Sequence, residues 1–167
     1  MKKITLFIFV VFFLQLSVSS TGFSGAVAPY GPEQKRFGLG IILGDPTGLT
    51  GKGYLAPRLA IDTHLSWSFI EEAFTIIGDV THDFVELPVD TNVVTIPFYA
   101  GVGGKVAINK QRRGGDETSG AIRIPVGLSG QWARYPIEVF LELAPGVEVT
   151  PATEFDLTGG LGGRFYF

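Results

Sequence analysis

Seven stretches of this chain alternate at period two so strictly that one face of each carries no charged residue. Phe37, Leu39, Ile41 and Leu43 make one such face, Leu59, Ile61, Thr63, Leu65, Trp67 and Phe69 another, and Ile137, Val139, Leu141 and Leu143 a third. The remaining four run through Leu49–Leu55, Val94–Val106, Ile122–Leu128 and Phe155–Phe167. Alternation of this kind belongs to strands whose two faces meet different surroundings. The opposite parity collects Lys52, Asp62, Lys105, Arg123, Glu138, Glu142, Asp156 and Arg164, four charges of each sign, among tyrosines and glycines.

Glycine, proline and polar clusters cut the chain into eight segments, near 36–44, 48–56, 58–69, 79–87, 93–107, 121–132, 137–147 and 154–167. The linkers differ in kind. "DPTG", "IEEAFTIIG", "NKQRRGGDETSG" and "GVEVTPAT" fall at one end of the strands; "APR", "PVDTN" and "RYP", mostly shorter, fall at the other. These features predict an all-β fold, an eight-stranded antiparallel up-and-down transmembrane β-barrel.

Alternation alone does not say which face is inside. A lipocalin-like soluble barrel would turn the apolar set inward and the charged set to water. The composition favours the inverse. Only 17% of residues are charged, 23 of 167 are glycine, and mean hydropathy is +0.31, a poor water-facing surface where roughly 25–35% charge is usual. In lipid, a Lys or Arg at the midplane costs about 2–4 kcal/mol, a penalty that accounts for charge-free faces. The charged parity then lies in the lumen. Equal numbers of each sign imply pairing there, with Arg123 expected to meet Glu138 or Glu142 of the next strand.

Two places strain the pattern. In "DVTHDFVELP" either Glu86 with His82 or Asp83 falls on the apolar side, which predicts a bulge or a register irregularity. Pro97 and Pro125 interrupt strands that a closed sheet pairs on both sides, and are expected to mark bulges.

Lys2 and Lys3 followed by an apolar run from Ile4 to Val18 and then small residues have the layout of a signal peptide, taken as residues 1–26. A short segment, 27–35, then precedes the barrel domain, 36–167. There is no cysteine, hence neither a disulfide framework nor a lipidated cysteine. A net charge of −3 argues against nucleic acid.

"FGLGIILGDPTGLTGKGYL", "LAIDTHLSWSF", "TIPFYAGVGGK", "RIPVGLSG" and "GGLGGRFYF" together resemble the small OmpA-like outer-membrane barrels known from spirochaete surface proteins, over residues 36–167. That resemblance implies an outer-membrane location and a membrane-structural or surface-interaction role. It implies as partners the membrane lipid and the barrel-assembly machinery during biogenesis. It also implies that Leu161, Phe165 and Phe167 form the strand signal read during assembly, and it carries no catalytic residue.

Chemical motifs are sparse. "GDPTGLTGKG" and "GVGGK" depart from a phosphate loop at the first glycine and at the hydroxyl position, and lie in strands. His64 and Ser66 share a strand face with the spacing of an outer-membrane lipid deacylase, but Trp67 and Ser68 follow where that pattern has Asn and Ala. Two histidines and no cysteine leave any transition metal dependent on carboxylates, none of them spaced for it. No catalytic residue, metal or cofactor is expected. Lys110, Arg112, Arg113, Asp116 and Glu117 read as a solvated loop or a contact site for lipopolysaccharide phosphates or an external ligand. The competing functional classes are a narrow channel, a lipid-modifying enzyme and a soluble periplasmic carrier.

Overall fold

The structure is a computed structural model and describes residues 30–68, 73–88, 93–111 and 115–167. The expected signal peptide, 1–26, lies outside the described residues. Nine strands follow a short 3-10 turn over Pro32–Gln34: β1 Phe37–Asp45, β2 Gly48–Ala56, β3 Leu59–Ser68, β4 Ala73–Leu87, β5 Val94–Gln111, β6 Gly115–Arg123, β7 Val126–Trp132, β8 Ile137–Thr150 and β9 Glu154–Tyr166.

All pairings are antiparallel, and they close on themselves. β1 pairs with both β2 and β9, and β4 with both β3 and β5. β6 and β7 share one position in the ring. Both lie between β5 and β8: Arg123 pairs with Gly103 and Gly146, and Val126 with Ala100 and Leu143, so the register runs unbroken across the gap. The expected count of eight is therefore corrected to nine strands in eight ring positions. Pro125 is the reason, because it has no N–H to donate to a ladder. Its carbonyl still accepts from Gly101 N–H at 2.9 Å, while the Ile124 N–H donates to the Pro145 carbonyl at 2.9 Å. Pro97 leaves a lighter mark. The β5–β7 ladder steps from Thr95↔Gln131 to Phe98↔Leu128 beside it.

Several stretches read as loops are strand instead. β4 starts at Ala73, β5 runs to Gln111, β6 starts at Gly115 and β8 ends at Thr150, so most of "IEEAFTIIG", "NKQRRGGDETSG" and "GVEVTPAT" extends the sheet. Arg112 and Arg113 lie outside the described residues, as do the side chains of Lys110, Asp116 and Glu117.

The anomaly in the fourth segment resolves as a bulge at Phe84. Asp83 pairs with Tyr99 and Val85 with Phe98, adjacent residues of β5, leaving Phe84 as the extra residue. Phe84 and Val85 are consequently both exposed, and Asp79, Thr81 and Asp83 all turn inward.

Parity decides what is inside. The buried residues include Lys52, Asp62, His64, Asp79, Asp83, Arg123, Glu138, Glu142 and Arg164 together with Tyr54, Tyr99, Phe140 and Tyr166. Leu39, Ile41, Leu65, Ile122, Leu141 and Leu161 are exposed on the outer face. Glycines make room for the interior rings. A Cβ on Gly127 would stand 2.5 Å from Tyr99 Cζ and Oη, and one on Gly162 would overlap the Phe140 ring. At the short-turn end, residues 30–36 pack against the interior. Tyr30 meets Tyr54 edge-on at 6.4 Å, and Arg36 stacks on Tyr30 at 4.2 Å.

Candidate functional site

The ring places six of the eight expected charges, Lys52, Asp62, Arg123, Glu138, Glu142 and Arg164, in a fully buried interior. They form two connected groups. The first centres on Lys52, whose Nζ lies 3.8 Å from Asp62 Oδ2 and 3.9 Å from both Asp83 Oδ1 and Glu138 Oε1. Lys52 and Asp62 are ladder partners on β2 and β3, so their short separation follows from the register. Arg164 Nη2 is 2.8 Å from Asp62 Oδ1, and its Nη1 donates to Glu138 Oε2 at 3.4 Å. The guanidinium also donates to Thr50 Oγ1 from Nε and Nη2, at 3.1 and 2.8 Å, and stacks on Phe140 with Cζ 3.9 Å from the ring centroid.

Hydroxyl groups add to that shell. Tyr166 donates to Glu138 Oε2 at 2.6 Å, Thr81 to Asp62 Oδ2 at 2.6 Å and Tyr54 to Asp83 Oδ2 at 3.1 Å. A buried ion pair is favoured when its remaining donors and acceptors are also engaged; here neutral hydroxyls meet one oxygen of each of these three carboxylates, while Lys52 Nζ, Asp62 Oδ1 and Glu138 Oε1 are held by ion pairs alone.

Arg123 organises the second group. Its Nη2 donates to Glu142 Oε1, its Nη1 to Thr158 Oγ1 at 3.0 Å, and its Nε lies 3.3 Å from Asp79 Oδ1. Tyr99 donates to Glu142 Oε2 at 3.0 Å. His64 Nε2 stands 3.7 Å from Glu142 Oε1. Of the two partners expected for Arg123, the structure brings it to Glu142 and gives Glu138 to Arg164.

Lys105 and Asp156 stand apart from both groups. They are part-buried and pair with each other at 2.6 Å. Leu161, Phe165 and Phe167 lie on the outer surface, with Phe165 and Phe167 in edge contact at 5.4 Å and Phe167 tilted against Phe37 at 6.4 Å.

The expected balance of signs does not hold. Asp79 and Asp83 join the interior through a register that sets Asp79 opposite Asp62 and Asp83 opposite Tyr99, while the Phe84 bulge reverses parity beyond them, so no single alternation runs through that segment. Among the described residues the fully buried interior holds five carboxylates, Asp62, Asp79, Asp83, Glu138 and Glu142, against three cations, Lys52, Arg123 and Arg164. His64 and Ser66 both face this interior, the serine 8% exposed. Lys52 and Lys105, the lysines of the two glycine-rich segments, sit in β2 and β5, not ahead of a helix. The chain matches no protein-family model, no curated protein and no solved structure, which leaves its own residues to argue its use.

Proposed function

We propose that the chain is a small outer-membrane β-barrel with a side-chain-filled lumen, serving a membrane-structural or surface-interaction role without catalysis. One observation carries this reading: the closed sheet is inside out for water, with its charges buried and an apolar band exposed. Monomeric soluble proteins rarely expose contiguous apolar surface beyond a few hundred Å². A bilayer rewards it.

The outer aromatics support the same orientation. Phe37, Phe84, Phe98, Tyr135, Phe165 and Phe167 gather toward the short-turn end; Trp67, Phe74 and Phe155 gather toward the other. Aliphatic residues such as Leu39, Ile61, Val102, Leu141 and Leu161 fill the band between. Phe155 and Phe165 both lie on β9. Ten strand residues at about 3.3 Å each span about 33 Å, or about 25 Å along the normal at the usual tilt, the height of the apolar band in such barrels. Among the described residues no helix is long and apolar enough to cross a membrane, and crossing by strands is a separate matter.

Burial of His64 and Ser66 inside the network supports the non-catalytic reading over the lipid-modifying one, since a lipid acyl chain has no approach to them from the outer face. The dense ion pairing supports a closed lumen over a channel. The resemblance to OmpA-like surface barrels fits this proposal, as does an assembly role for Leu161, Phe165 and Phe167.

Cell fractionation with heat-modifiable gel mobility tests it. Outer-membrane recovery and a faster-migrating unheated band are expected; a protein that stays soluble without detergent overturns the reading. In a planar bilayer the purified protein should give little steady conductance, and stable ion conduction would make it a channel.

A further inference from the structure

We infer that His64, Asp79 and Glu142 form a binding site for one divalent transition-metal ion inside the closed sheet. The three residues come from β3, β4 and β8, so no spacing within a short sequence segment reveals them. Each offers one ligand atom, and the three atoms lie within 4.8 Å of one another. Bonds of about 2.0–2.2 Å draw such atoms slightly inward, a movement that small side-chain rotations supply.

Two of the three side chains make no hydrogen bond among the described residues, Asp79 being held by its 3.3 Å ion pair with Arg123 Nε. His64 is 1% exposed and Asp79 is 2% exposed. Yet neither ring nitrogen of His64 and neither oxygen of Asp79 has a hydrogen-bond partner among the described residues. The 3.7 Å approach of His64 Nε2 to Glu142 Oε1 is too long for a hydrogen bond. Buried polar groups are nearly always hydrogen-bonded, so two such side chains facing a third ligand within one cluster point to something they jointly hold.

Charge agrees with geometry. Among the described residues the buried interior has two more carboxylates than cations, and a dication neutralises that excess. Arg123 flanks the cluster through Asp79 Oδ1 and Glu142 Oε1 and does not exhaust it, because each carboxylate has two oxygens and about four lone-pair directions. One imidazole nitrogen with two carboxylate oxygens suits zinc, cobalt or another borderline first-row ion better than magnesium or calcium, which prefer all-oxygen shells. The inference does not depend on the membrane orientation, since the cluster is equally buried in either.

Cobalt(II) is the probe. The purified protein is unfolded, stripped with a chelator, refolded with Co2+ and desalted; metal per chain and visible d–d absorption are then measured, with folding checked by circular dichroism. About one retained Co2+ per chain with a d–d band is expected. His64→Gln and Asp79→Asn should each lose the band and the retained metal, whereas Asp83→Asn, which removes an interior charge outside the cluster, should keep both. Should the cluster variants fail to fold, the wild type still decides: bound Co2+ must shift and broaden the imidazole signals of one histidine far more strongly than those of the other. No retained metal, metal retained by folded His64→Gln, or two unperturbed histidines overturns the site, and bound protons then carry the neutralisation.

Discussion

Arg123 reaches Glu142 although the two are not ladder partners: Arg123 stands opposite Gly146 of β8, four residues further along that strand. The guanidinium leans across the interior to place Nη2 on Glu142 and Nε beside Asp79, leaving each carboxylate dependent on the same cation. Arg123→Ala should therefore lower stability by about 3–5 kcal/mol, the usual cost of stranding a buried charge. Adding Glu142→Gln, which keeps an acceptor for the Tyr99 hydroxyl, should recover part of that loss. Thermal melts of the single and double variants check it. Strictly additive losses would show that the two groups are not coupled.

Much of this was open to reading from sequence, and the limits have a physical cause. On seven strands, side chains that alternate across a pleat declare which residues share a face, so Lys52, Asp62, Arg123, Glu138, Glu142 and Arg164 could be placed together without coordinates. β4 hides its faces because one extra residue at Phe84 shifts parity near its end, and Asp79 and Asp83 escape the pattern for that reason. The strand ends were misread for another. In the proposed orientation the far ends of β5, β6 and β8 rise beyond the apolar band, where both faces meet water and nothing enforces alternation. Which carboxylate each cation takes depends on side-chain reach across the interior, and register does not encode that.

The outer face gives a test that separates lipid from water. Leu141 is 53% exposed at the middle of β8, and Leu141→Arg in a soluble protein should change stability by less than about 0.5 kcal/mol, as for most surface substitutions. In a bilayer the same change costs about 2–4 kcal/mol near the midplane. Folding yield into lipid vesicles should drop well below wild type, and an unchanged yield would remove the membrane reading.

Gly162 allows the Phe140 ring to lie flat against the neighbouring strand. The two are ladder partners on β9 and β8, and a Cβ at 162 overlaps the ring. Gly162→Ala should cost about 1–3 kcal/mol through overpacking. Phe140→Leu in the same chain should give back part of it by vacating that space, even though it also removes the surface on which Arg164 stacks. A Gly162→Ala variant that melts with the wild type would show that the interior yields more readily than its packing implies.

The bulge at Phe84 makes a prediction about deletion. Asp83 and Val85 already pair with consecutive residues of β5, so removing Phe84 leaves Asp83 facing inward, Val85 outward and Glu86 opposite Pro97, as they are now. β3 contributes no ladder partner beyond His82, so only one neighbouring strand has to adjust there. Val80 differs. It pairs with Ile61 on one side and Val102 on the other, and its removal inverts one half of β4, sending either Asp79 or Asp83 to the apolar face. Deletion of Phe84 should fold at close to the wild-type yield, and deletion of Val80 should fold poorly or not at all, with unheated gel mobility as the readout. Equal yields for the two would mean that β4 tolerates an inverted half, and that folding does not require Asp79 and Asp83 to face inward.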